Sequence, residues 1–290
     1  MSDSVHILLD RLDLETLDSN LFRGHSPQDG RPRVYGGQVV GQALVAACRT
    51  VQGRLAHSLH AYFLRPGDPS RPILYEVDRI RDGRSFTTRR VVAIQKGEAI
   101  FSMSASFHAE ERGLEHQLPA PEAAPPESVP SNSERIDEAL AATGNPLFEF
   151  LKALERPIEQ RDLDAVDPTR PRKHQAPHRV WFRAGGALPD DPLIHQCVLA
   201  YASDLSLLDS CILWHGVTWL DPRLMAASLD HAIWFHRPFR ADEWLLYVCE
   251  SPSSASGRGM NHGRIFRADG TLVASVAQEA LMRMTDPLAI

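Results

Sequence analysis

Read as alternating inward and outward positions, the stretch from Leu272 to Met282 places Leu272, Ala274, Val276, Gln278, Ala280 and Met282 on one face of a strand. Gln278 is the only polar group on that face. An earlier stretch puts Ala99, Phe101, Met103, Ala105 and Phe107 on the equivalent face. Each strand follows a tight turn, Lys96-Gly97 or Asp269-Gly270, of the kind that closes hairpins. Superposing the two glycines sets Ala105 opposite Gln278. A core-facing amide left unpaired costs about 1–3 kcal/mol, so Gln278 is expected to meet a partner. That meeting point is read as a site.

The correspondence extends along the chain. Gly36 to Ala47 reads as a helix with a stripe of Val39, Val40, Ala43, Leu44 and Ala47, in which Gly37 and Gly41 are expected to allow close approach to a sheet. Its second copy runs from Pro192 to Tyr201, with Asp190 or Asp191 as the cap and Pro192 in the first turn. An aromatic strand ending in Arg-Pro follows in each half, His60 to Pro66 and His231 to Pro238. Long strands then flank the Gly83-Arg84 and Gly257-Arg258 turns and include Thr87 to Ile94 and His262 to Ala268.

Between the copies, Gln117 to Glu134 holds five prolines and reads as a linker. A helical patch around Glu138 to Arg156 and a second connector, Asp167 to Pro177, follow. The expected division is residues 1–116, a linker with a helical patch over 117–176, and residues 177–290 carrying the chemistry. Two copies joined by a long crossing suggest an internal pseudo-dimer.

Composition narrows the function classes. A chain of 290 residues with 43% hydrophobic and 23% charged content can bury an ample core. Its net charge of −6 gives no general attraction to nucleic acid or anionic membranes. Cys48, Cys197, Cys211 and Cys249 are scattered, as free thiols in a reducing compartment would be. Met1 to Glu15 has no signal-peptide pattern, and no stretch approaches the roughly 20 apolar residues of a membrane span. Pro287 to Ile290 is not a Ser-Lys-Leu address. A cytoplasmic protein is expected. No metal is expected either: His57 and His60, or His231 and His236, face opposite ways on a strand, and no Cys-x-x-Cys pair or His-Glu-x-x-His run occurs. No Gly-x-Ser-x-Gly elbow supports a serine hydrolase.

Ordered motifs resemble the acyl-CoA thioesterase II (TesB-type) family over residues 20 to 284. In the first half they are Phe22-Arg23-Gly24, Val34 to Ala43 and Phe63 to Asp68. In the second they are Tyr201 to Asp204, Ser228 to His231, Trp234 to Phe239 and Val276 to Glu279. The resemblance implies an α+β double hot-dog fold, two helix-wrapping antiparallel sheets arranged as an internal pseudo-dimer. It implies acyl-CoA as substrate, no cofactor beyond the coenzyme A of the substrate itself, and a homodimer or homotetramer. It also matches Asp204, Ser228 and Gln278 to the positions that hold a nucleophilic water, with Ser228 where the family often has Thr.

That chemistry is self-consistent. A thioester is reactive enough for a positioned water, with Asp204 as base and Ser228 and Gln278 orienting it. Backbone amides near Gly37 and Gln38 are candidate oxyanion donors. His57 is a candidate for the cleft, set against the plainer reading of a half-buried strand histidine. Arginines at 79, 81, 84, 89 and 90, with Arg258 and Arg264 in the second copy, are candidates for coenzyme A phosphates, Arg84 and Arg90 among the first group. Each of them also fits a charged outer sheet face. Aligning Gln42 with Gln196 puts Thr50 opposite Asp204, so one active site per chain is expected. Two other functions remain open from the residues: a hot-dog enoyl-CoA hydratase using Asp230 and His231, which point to opposite faces, and a non-catalytic acyl-CoA binding module.

Overall fold

The computed structural model describes residues 3–285; the C-terminal tetrapeptide Pro287 to Ile290 and Met1 lie outside them. The first repeat comprises α1 (Asp3–Leu12), β1 (Glu15–Asp18), β2 (Leu21–Gly24), α2 (Gly36–Cys48), β3 (Leu55–Phe63), β4 (Ile73–Asp82), β5 (Phe86–Gln95) and β6 (Glu98–His108). Two short helices, α3 (Asn132–Thr143) and α4 (Pro146–Ala153), cross to the second repeat. That repeat holds β7 (Ile158–Asp162), β8 (His178–Ala184), α5 (Pro192–Ala202), α6 (Asp209–Trp214), β9 (Leu224–Ser228), β10 (Asp230–Phe235), β11 (Leu245–Ala255), β12 (Arg258–Arg267) and β13 (Leu272–Met284).

All strands belong to one antiparallel sheet in the order β1-β2-β4-β5-β6-β3-β10-β13-β12-β11-β8-β7, with β9 also paired to β13. The half-sheets meet where β3 pairs with β10, His60 opposite Ala232. The sheet curls around α2 and α5, which pack against each other. Nearly every residue of α2 is buried, as its apolar character on all sides requires of a helix wrapped by a sheet. Asp191 caps α5 by accepting from the Leu193 N–H at 3.0 Å, with Pro192 in the first turn.

Three details differ from the sequence reading. Gly37 and Gly41 admit helix α5, not a sheet: a Cβ on Gly41 would lie 3.3 Å from the Cys197 carbonyl oxygen, and one on Gly37 would overlap the Tyr201 carbonyl. The proline-rich stretch yields at its end to α3, because Ser131 and Glu134 form a reciprocal capping box. β7, inside the expected linker, joins the second half-sheet against β8. All four cysteines are free and buried. Among the described residues no helix is long and apolar enough to cross a membrane.

Candidate active site

Asp204 follows α5 by two residues, where the helix has ended at Ser203. Ser228 ends β9, and Gln278 lies mid-strand in β13. Strand pairing explains how they converge. Ser228 stands opposite Ala280 and Ala232 opposite Ala277, so four steps on one side match three on the other. This one-residue bulge between β9 and β10 turns Ser228 and His231 to the face that carries Gln278. On an unbroken strand, residues three apart would face opposite ways.

The groups bond directly. The Gln278 side-chain N–H donates to Asp204 Oδ1 at 2.6 Å, and the Ser228 hydroxyl donates to the same oxygen at 3.1 Å. The backbone N–H of Gly37, in the first turn of α2, faces the carboxylate and favours its ionised form. Gln278 is fully buried, and its second amide N–H meets His231 Nδ1 at 3.1 Å. His231 Nε2 in turn meets Ser203 Oγ at 2.8 Å, and Ser203 donates to the Ala200 carbonyl at 3.0 Å. These contacts have one consistent set of directions, with the imidazole proton on Nε2. Burial holds the His231 pKa down to about 3, so the ring stays neutral. Both Gln278 amide hydrogens are therefore engaged, and its Oε1 is a buried acceptor with no hydrogen-bond partner among the described residues.

Burial raises the pKa of Asp204 to about 6, against the lowering effect of Gln278, Ser228 and the Gly37 amide. The carboxylate thus changes charge just below neutrality and not in the ordinary carboxylate range. The backbone opposite must be bare: a Cβ on Gly36 would sit 2.7 Å from Asp204 Oδ2 and 3.1 Å from the Phe63 ring. Tyr35 and Tyr247 hydroxyls donate to the Tyr201 and Ser203 carbonyls at 2.9 Å each, pinning the end of α5 that presents the acid.

The other residues singled out from sequence lie elsewhere or are engaged elsewhere. Gln38, singled out for its backbone amide, uses its side chain to donate to the His25 carbonyl and Ser26 hydroxyl, anchoring a loop. His57 packs edge-on to Phe86 and His108 on the bulge of β3. Arg90 pairs with Asp78, Arg258 with Glu279 and Arg264 with Glu250; Arg84 is exposed. Asp230 accepts from the Glu279 backbone N–H at 2.6 Å while His231 points inward, so those neighbours do not act together. Sequence reasoning missed His231 and Ser203 as parts of the site. The absent signal was the bulge, which leaves no mark in composition or periodicity. Among the described residues no group of three His, Cys, Asp or Glu side chains could hold a metal ion.

A curled antiparallel sheet around paired helices, with an acid, an amide and a hydroxyl in contact at their junction, is the architecture of a double hot-dog protein. The acyl-CoA thioesterase family profile matches residues 150–281, and the profile of the acyl-CoA thioesterase N-terminal domain matches residues 25–108. The chain is 40% identical over 287 residues to acyl-CoA thioesterase 2 of Haemophilus influenzae, covering 99% of this chain and 100% of that one. The crystal structure of acyl-CoA thioesterase II TesB2 from Mycobacterium marinum is 46% identical, with a TM-score of 0.74 over 95% of this chain and 97% of that one. A hot-dog-fold protein from Alicyclobacillus acidocaldarius, 19% identical, superposes with a TM-score of 0.75 over 96% and 98% of the two chains and shares the fold. The chain belongs to the TesB-type acyl-CoA thioesterase II family and is a thioester hydrolase.

Proposed function

We propose that this protein hydrolyses acyl-CoA to a fatty acid and coenzyme A, with a water held between Asp204 and Gln278. The observation that carries this reading is the orphaned Gln278 Oε1. A buried acceptor without a donor costs about 1–3 kcal/mol, and a water donating to it and to the Asp204 carboxylate removes that cost. Because Gln278 and Ser228 both bond Oδ1, they orient the carboxylate and leave Oδ2 as the base. Their role is therefore wider than holding the water. Asp204 accepts one proton as the water oxygen bonds to the thioester carbon. The C–S bond then breaks, and the proton passes from Asp204 to the departing thiolate. General-base assistance of this kind contributes typically about 10²–10⁴ in rate. We assign the Gly37 amide to the acid, whose ionised form it already favours, and not to the oxyanion.

Single-turnover hydrolysis in oxygen-18 water tests the step. Label is expected only in the product acid; label in the Asp204 carboxylate would replace direct water attack with an anhydride route. Thiol release from acyl-CoA is the expected primary readout, and loss of enoyl absorbance without thiol would transfer the site to hydration. The same reading takes the protein as cytoplasmic and as a homodimer or homotetramer. Exposed Tyr62 and Trp234, on the paired strands β3 and β10, support a second copy. Sedimentation of a monomer would remove that part.

A further inference from the structure

We propose that the first repeat carries a separate anion site, at the C-terminal end of α2, that takes a phosphate-bearing ligand. The two repeats close this end differently. In the second, residues 203–223 include α6, whose Ser210 donates to Asn261 at 2.9 Å and whose Cys211 lies against Gly259. In the first, residues 49–54 alone join α2 to β3 and nothing equivalent to α6 covers the sheet. The result is an open cavity of about 430 Å³ whose lining includes Arg49, Thr50, Arg54, Arg79, Asp82 and Arg89.

The charges there do not cancel. Arg49 pairs with Asp13 at 2.5 Å and Arg89 with Asp82 at 2.6 Å. Arg89 also donates to Thr50 Oγ1, the Thr50 carbonyl, the Arg81 carbonyl and the Thr88 carbonyl, which engages all of its N–H groups. It shapes the floor and has nothing left for a ligand. Arg54 donates to Thr87 Oγ1 at 2.5 Å and the Arg84 carbonyl at 2.6 Å, and Arg79 donates through Nε to Asn20 at 2.8 Å. Neither forms an ion pair with a carboxylate among the described residues, although the charge of Asp82 is felt at Arg79, so Arg79 keeps both Nη groups and Arg54 keeps Nε. In a chain of net charge −6, four guanidiniums (Arg49, Arg54, Arg79 and Arg89) set against two carboxylates, Asp13 and Asp82, give one cavity an excess of positive charge, a local anion trap. Their forked donors suit the paired oxygens of a phosphate or pyrophosphate.

The 13 residues of α2 separate this pocket from the Gly37 amide at Asp204 by about 20 Å. Two sources share the chemistry: the nucleotide end of the substrate, which rests on the function proposed above, or an independent phosphorylated molecule, which does not. Calorimetric titration of the full chain with pyrophosphate at low salt tests the site. Saturable binding is expected, weakened at least about tenfold in R54Q/R79Q; R79Q alone, altering one surface contact, serves if the double variant is unstable. Binding absent in the wild-type protein, or equal in the variant, would overturn the proposal. The Michaelis constant identifies the source. A rise for acyl-CoA but not for acyl-pantetheine assigns the pocket to the substrate's phosphates, and no change for either, with pyrophosphate binding lost, assigns it to a separate ligand.

Discussion

At the C-terminal end of its central helix each repeat turns a polar side chain under the sheet, Thr50 in the first and Asp204 in the second. The register shows how far the two surroundings have diverged. In the first repeat Ala56 stands opposite Phe107 and Leu59 opposite Ala105, with the same one-residue bulge between them. Ala56, Leu59 and Ala105 are therefore the counterparts of Ser228, His231 and Gln278. Asn261, opposite Gln278, has as its counterpart Arg89, opposite Ala105. One scaffold thus holds a carboxylate within an amide, hydroxyl and imidazole network at one end. At the other it holds a hydroxyl saturated by a buried guanidinium within apolar walls. The bulge and the helix end are common to both; the difference lies in four side chains.

Exchanging those side chains for their first-repeat counterparts tests the comparison. Asp204→Thr removes the base, and kcat is expected to fall by about 10²–10⁴ in a steady-state thiol-release assay. Gln278→Ala removes the water acceptor and one support of the acid; a loss of at least about tenfold with a cooperative melt is expected. His231→Leu leaves Gln278 in place but frees its amide to rotate. It should lower kcat about three- to tenfold with KM within about twofold, since the imidazole positions the amide and touches no substrate. An unchanged kcat would reduce His231 to a core residue. In the first repeat, Arg89→Met should leave kcat within about twofold. It should cost roughly 1–3 kcal/mol in urea unfolding, because the Thr50 groups lose their donors.

Legibility in the sequence followed the physics of each feature. The repeat, the limits of the two central helices and the inward-facing Gln278 were readable because period-two alternation and capping residues are local signals, whereas the patch expected around Glu138 to Arg156 is two helices, Asn132–Thr143 and Pro146–Ala153, parted at Gly144. Asp204 and Ser228 were reached through resemblance, since an acid after a helix and a serine at a strand end carry no periodic mark. His231 was weighed only against Asp230 and as a metal ligand. Its inward role depends on a bulge set by pairing with a strand some 50 residues away. The helix-to-helix use of Gly37 and Gly41 was equally hidden, because a small residue shows that something approaches but not what.

The central claim is that Asp204, ionised, activates the attacking water. Its pKa of about 6 lies above the ordinary carboxylate value, so ionisation is disfavoured in the folded state. The stability this group contributes is present at low pH and lost as pH rises through about 6, while activity gains over the same interval. The deciding measurement is kcat from pH 5 to 9 for the wild-type protein and Asp204→Asn, with melting temperatures at pH 8. The account predicts a wild-type limb rising through about pH 6. The variant should lack that limb, turn over at least about a hundredfold more slowly at pH 8 and melt no lower than wild type. A variant that keeps the limb, or retains near-normal turnover, would contradict it.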